Sequence, residues 1–200
     1  MKTVWYYIKQ MFLPIMYTIF AAMIAFGILC IQGMDWLKII LLILNIALFA
    51  FIICANYFKE GEKAYKVRLA NDLEREMIIR TGEDRPIDRN GEYKPWKGFV
   101  MGVISCAPLI ILMIIHAIII FFINPEKEVV GGITAFIYMS FFGLFWLDTS
   151  IALSGVAYFA CLIYVPALVT FMGVPYILGA RKIEIQQQMI KEKHRQIYGE

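Results

Sequence analysis

The sequence predicts an all-α fold of the membrane kind: a polytopic integral helical bundle of four or five membrane helices, with a cytoplasmic amphipathic helix and a small β-hairpin between the second and third spans. Three observations lead there. Of 200 residues, 60% are hydrophobic and 18% charged, where a water-soluble globule has roughly half and a quarter, and the mean hydropathy is +0.68. The apolar residues gather into runs near the roughly 20 residues a helix needs to cross hydrocarbon. The basic residues are segregated from those runs: ten of nineteen Lys and Arg lie in 59–97 and five in 181–195.

The first run, 11–32, holds no charge, and the second, 36–57, holds only Lys38 at its edge. Gly33, Met34 and Asp35 form a tight turn between them, so residues 1–57 read as a transmembrane hairpin. The first run has too long an apolar core, and no small-residue cleavage site, for a cleaved signal. The third run, 98–123, is expected to kink at Pro108 and to end at Asn124, Pro125 and Glu126. From 130 to 180 the only charge is Asp148, which with Thr149 and Ser150 resembles an N-cap cluster; the run divides there into 130–147 and 151–178, the latter interrupted by Pro166 and Pro175.

Orientation follows from the excess of Lys and Arg in cytoplasmic loops. It places 58–97 inside, the Gly33 turn outside and 124–129 outside. Trp5, Trp36 and Trp96 fall at the resulting boundaries, where indole rings favour the interface. Five crossings would deliver the basic tail, 181–200, to the outside. If 130–147, which is Gly-rich and marginal in length, re-enters without crossing, seventeen basic residues face inward and two outward; if it crosses, the count is twelve against seven. The cytoplasmic tail is the preferred reading.

In the central loop Tyr65, Leu69, Leu73 and Met77 repeat every four residues, and Glu62 with Lys66 and Glu76 with Arg80 make favourable i, i+4 pairs. This predicts an amphipathic helix continuing from the second span and stopping at Thr81 and Gly82. It rests either on the membrane surface or bundle, or on a protein partner. Beyond it Asn90-Gly91 suits a type I′ turn, so 85–95 is expected to form a short hairpin bounded by Pro86 and Pro95. Such a hairpin is marginal alone and must lean on something. Nine acids share the loop, which is therefore no polybasic nucleic-acid arm. In the tail Ile183, Ile190 and Ile197 recur every seven residues with Met189 beside them; two heptads are too few for a coiled coil, and a short helix along the bilayer surface is the default.

Ionisable residues inside spans are the places to look for chemistry, because charge is costly there. The chain offers His116 and Asp148. A packing histidine and a helix cap are the more economical accounts of them. Ser154-Gly155 with His116 departs from the rhomboid-type intramembrane proteases: Ala152 stands where their nucleophile motif has glycine, and the histidine precedes the serine. Ser154, Gly155 and Ala157 read instead as small residues at a helix contact. Cys30, Cys54, Cys106 and Cys161 sit in apolar runs without Cys-x-x-Cys spacing and read as small hydrophobes. No glycine-rich nucleotide motif is present. Thr18, Asn45, Asn56, Ser105, Thr134, Ser140 and Thr170 are the neutral polar groups expected to bridge helices.

No catalytic, cofactor-binding or metal-ligating residue is therefore assigned and no cofactor is expected. The domain reading is 1–57, 58–97, 98–180 and 181–200. The expected role is that of a non-enzymatic subunit of a membrane complex or small-solute transport system. Its partners are the bilayer and a protein bound through 58–97, not nucleic acid, and self-association stays open. The alternative is a membrane-embedded enzyme acting on lipid or peptide, which needs Asp148, His116 and Ser154 to converge.

Overall fold

The computed structural model describes residues 2–123, apart from 32, 34, 83–86 and 88, together with 164–198. The described residues form four helices: α1 (Lys2–Leu29), α2 (Asp35–Thr81), α3 (Lys97–Ile123) and α4 (Tyr164–Tyr198). By length and composition α1 and α2 are each long and apolar enough to cross a membrane. The segments 130–147 and 151–163, and with them Asp148 and Ser154, lie outside the described residues.

Helix α2 joins the second apolar run and the amphipathic stretch without a break, and at 1.5 Å per residue its 47 residues extend about 70 Å. Its stop is chemical: Gly82 takes φ +70°, and its amide donates to the Ile78 carbonyl at 2.8 Å. Gly33, at φ +72°, makes the turn before α2. Only glycine holds such left-handed angles without a Cβ penalty.

Contacts fix the directions. Ala21 meets Asn45 and Gln10 meets Tyr57, so α1 and α2 are antiparallel. Cys54 meets Phe171 and Glu62 meets Lys182, so α4 runs parallel to α2. Gly98 faces Tyr176 and Gly102 faces Val169, which sets α3 antiparallel to α4. The order is up, down, up, down. The start of α1, the middle of α2, the start of α3 and residues 176–183 of α4 consequently share one level, where Tyr57, Ala64, Lys97, Met101, Tyr176, Ala180 and Ile183 are buried; Ala21, Ala25 and Leu42 are buried farther along α1 and α2.

At that level α2 and α4 touch backbone to backbone. A Cβ on Gly61 would meet the Tyr176 carbonyl, and one on Gly179 would meet the Phe58 carbonyl. Small residues are what permit so close an approach. The same packing explains why α4 does not end where its apolar run does. Gly179 is held against α2 and does not cap, so the helix continues through Arg181 to Tyr198. The tail is thereby coaxial with α4 and not a separate surface-lying helix.

No strand forms among the described residues. Arg89, Asn90 and Gly91 do make a turn, in which the Arg89 amide donates to Ile87 O at 3.1 Å. The returning arm, however, pairs with a helix: the Tyr93 amide donates to the Ala64 carbonyl of α2 at 3.1 Å. Arg85, Pro86 and Asp88, which belong to the other arm of the expected hairpin, lie outside the described residues.

Candidate functional site

The loop 89–97 is clamped from three sides. Lys97, 2% exposed, turns its ammonium back on its own loop, donating to the carbonyls of Asn90 and, at 3.5 Å, Glu92, while the Tyr6 ring of α1 lies 4.4 Å from it. A buried ammonium needs such acceptors and a ring face to offset its lost hydration. Arg75 of α2 grips the Glu92 carboxylate with one nitrogen, at 3.0 and 3.2 Å, and Asp72 with the other at 2.7 Å. The hydrogen bond to Glu92 is the first cause of its guanidinium being held still more firmly protonated than usual. Between these clamps Tyr93 stacks on Tyr176 of α4, with centroids 5.5 Å apart, and meets the edge of Tyr65 of α2 at 5.8 Å. Burial pushes the Tyr93 and Tyr65 phenols above their ordinary range. Lys182 of α4 completes the join, donating to Glu62 at 2.6 Å beside the Phe58 ring.

Past this collar both parallel helices bare apolar side chains. Of the stripe Tyr65, Leu69, Leu73 and Met77, the first two are half-covered and the last two exposed. On α4, Ile183 is buried, but Ile185, Met189, Ile190, Ile197 and Tyr198 are exposed. The result is a braced polar projection with apolar residues bare along both helices.

A cleft of about 290 Å³ opens between α1 and α2 at the collar, lined by Gln10, Leu13, Asn56, Tyr57, Lys59, Glu60 and Lys63. Its walls are fixed. The Tyr57 hydroxyl donates to the Gln10 carbonyl at 3.2 Å, and the Asn56 amide donates to Ile52 O at 3.0 Å and to the Tyr17 hydroxyl at 3.2 Å. Glu60 pairs with Lys63 at 3.5 Å, whereas Lys59 is exposed and has no carboxylate partner among the described residues.

Of the residues singled out in the sequence, His116 lies on α3 and its side chain is outside what is described, as are Asp148, Ser154 and Cys161. Cys30, Cys54 and Cys106 are free thiols, and among the described residues no three His, Cys, Asp or Glu side chains gather as a metal site. The neutral polar residues divide. Asn45 donates across to the Ala21 carbonyl at 2.9 Å and Asn56 reaches Tyr17, so these two bridge helices. Thr18, Ser105 and Thr170 instead donate to the carbonyl four residues back in their own helices.

Cys54 does more than fill space. Pro14 and Pro175 lack the amides that would bond to Gln10 and Phe171, and both freed carbonyls receive a donor from α2: the Tyr57 hydroxyl at Gln10 and the Cys54 thiol, at 3.5 Å, at Phe171. The signal was a proline with an unpaired acceptor four residues before it, but the donor is far away in sequence. No protein-family model, curated protein or solved structure matches the chain.

Proposed function

We propose that the chain is a multi-pass membrane protein of the cell membrane. In this reading it serves as a non-enzymatic subunit of a membrane complex or small-solute transport system, and holds a protein partner on the projection formed by 58–97 and 181–198. One observation supports this most directly. The outward faces of α1 and α2 carry Phe12, Phe20, Met23, Phe26, Leu44, Leu48 and Phe51, all exposed, within stretches that hold no charge between Met11 and Ile31 or between Ile39 and Phe58, and from Lys59 onward α2 is densely charged. Bare apolar area of this extent is an aggregation hazard in water and is at no disadvantage in hydrocarbon. Beyond the collar the same helix α2 turns polar and is braced by ion pairs and stacked tyrosines, the construction of a platform that must keep its shape in water.

The inward orientation rests on the basic residues of 58–97 and 181–195. The parallel course of α2 and α4 carries both sets to one end, in keeping with the cytoplasmic tail. A photo-activated cross-linker at Leu73 or Ile190, used in native membranes, tests the subunit role. It should yield one and the same protein adduct from both positions, while a cross-linker at Phe51 yields lipid. Lipid adducts from all three positions, or adducts to unrelated proteins, would remove the docking role.

A further inference from the structure

We propose that the cleft between α1 and α2 binds the phosphodiester headgroup of an anionic phospholipid, Lys59 and Lys63 meeting the phosphate and the amides of Gln10 and Asn56 lying beside it. The inference rests on the membrane reading above and adds a ligand to it. Its first support is the depth of the cleft. Leu13 belongs to the apolar run of α1 and Tyr57 ends that of α2, whereas Lys59, Glu60 and Lys63 open the polar extension, so the lining straddles the level at which apolar surface gives way to charge. A phospholipid changes character at the same depth, acyl chains below and phosphate above. On the apolar side the lining is Leu13, where a chain would lie.

The second support is charge. Two ammonium groups and one carboxylate line the cleft, leaving one net positive charge, which matches the single negative charge of a phosphodiester. Glu60 is engaged by Lys63, while Lys59 has no carboxylate partner among the described residues, and the exposed Lys9 follows from the α1 side, next in sequence to Gln10. Basic pockets between helices at the cytoplasmic interface are suited to such headgroups. The third support is rigidity. Tyr57, 2% exposed and tied to Gln10, and Asn56, tied to Tyr17, hold the walls apart at fixed spacing, so a ligand need not order them.

The test uses the full chain in a mild detergent, offered phosphatidylglycerol and phosphatidylcholine of equal chain length, with bound lipid counted by native mass spectrometry. One phosphatidylglycerol should be retained in preference. Lys59→Gln should weaken its retention about tenfold, the share of one charge-assisted hydrogen bond. Glu60→Gln, which removes the opposing carboxylate and releases Lys63, should strengthen retention, a gain that a folding defect cannot imitate. Excess inorganic phosphate should leave the lipid in place; displacement by phosphate would make the ligand a free anion and overturn the lipid assignment. Equal retention of the two lipids, or no response to either variant, would overturn the site. Should that happen while alkaline carbonate leaves the protein in the membrane pellet, the site alone fails; release by carbonate would remove the membrane reading as well.

Discussion

The Tyr57 hydroxyl donates to the Gln10 carbonyl, the acceptor that Pro14 leaves without an amide. A helix interrupted by proline is thus completed by its neighbour, and the interruption becomes a specific joint between α1 and α2. Tyr57→Phe keeps the ring and removes the donor, so it should cost about 1–3 kcal/mol, the range for an unsatisfied buried acceptor. In a Pro14→Ala background the local amide returns and the same change should cost clearly less. Thermal unfolding in detergent of the four proteins in this cycle measures the coupling. Equal costs in both backgrounds would show that the hydroxyl does not serve that carbonyl.

Glycine contacts give a second, sharper contrast. At Gly61 and Gly179 a methyl group would overlap a carbonyl of the opposite helix, whereas at Gly27 nothing lies within 4 Å. Gly61→Ala or Gly179→Ala should therefore destabilise by about 1–3 kcal/mol or more through overpacking against backbone. Spreading α2 from α4 should also loosen the Tyr93–Tyr176 stack and the Glu62–Lys182 pair. Gly27→Ala, in the last turn of α1 and unobstructed, should be neutral or stabilising by at most about 0.5–1 kcal/mol. Unfolding midpoints of the three variants decide the matter, and a like effect at all three positions would contradict the close approach.

Alkaline pH should release the collar. Burial is the first cause of the raised Tyr93 phenol, with Glu184 and Tyr65 adding to it and Arg181 and Arg68 opposing. Tyr65 is raised chiefly by burial too, with Glu184 and Asp72 adding and Arg68 opposing. A folded-state value above the ordinary 10.0 means that the folded chain holds the proton more tightly than the unfolded one. The stabilisation is then fully present below pH 10 and disappears as pH rises through the folded value. Phenolate absorbance of the wild-type chain minus that of Tyr93→Phe should give a midpoint above 10, and the variant should lose stability less steeply over that window. A midpoint at or below 10 would place Tyr93 in water.

Among the described residues the extents of α1, α2 and α3 were legible in the sequence, while their joints were not. Apolar run length and the Thr81-Gly82 stop marked α2 because both act locally, through hydrophobic spacing and a left-handed cap. The continuation of α4 past Ala180 was hidden: Gly179 reads as a helix ending, and only its packing on Phe58 shows why it is none. Asn90-Gly91 announced its turn, but the partner of the returning arm, Ala64, lies 29 residues before Tyr93 and no local rule selects it. Lys97 looked like one more loop cation and proved to be the buried clamp of that loop. The cleft escaped notice for the same reason. Gln10 and Asn56 are unremarkable until antiparallel pairing sets them side by side.

Sidedness follows from helix direction and can be measured without knowing a substrate. Because α2 and α4 are parallel, with Glu62 bonded to Lys182, residues 58–81 and 181–198 leave the collar at the same end. Single cysteines introduced at Glu76 and at Lys191, both exposed, in a background lacking the native thiols should therefore behave alike toward an impermeant thiol reagent. With the basic residues inward, both should be protected in intact cells and both labelled in inverted vesicles. Labelling of both in intact cells would keep the fold and invert the membrane orientation. Labelling of one alone would require α2 and α4 to be antiparallel, which the pairing of Cys54 with Phe171 and of Glu62 with Lys182 does not allow.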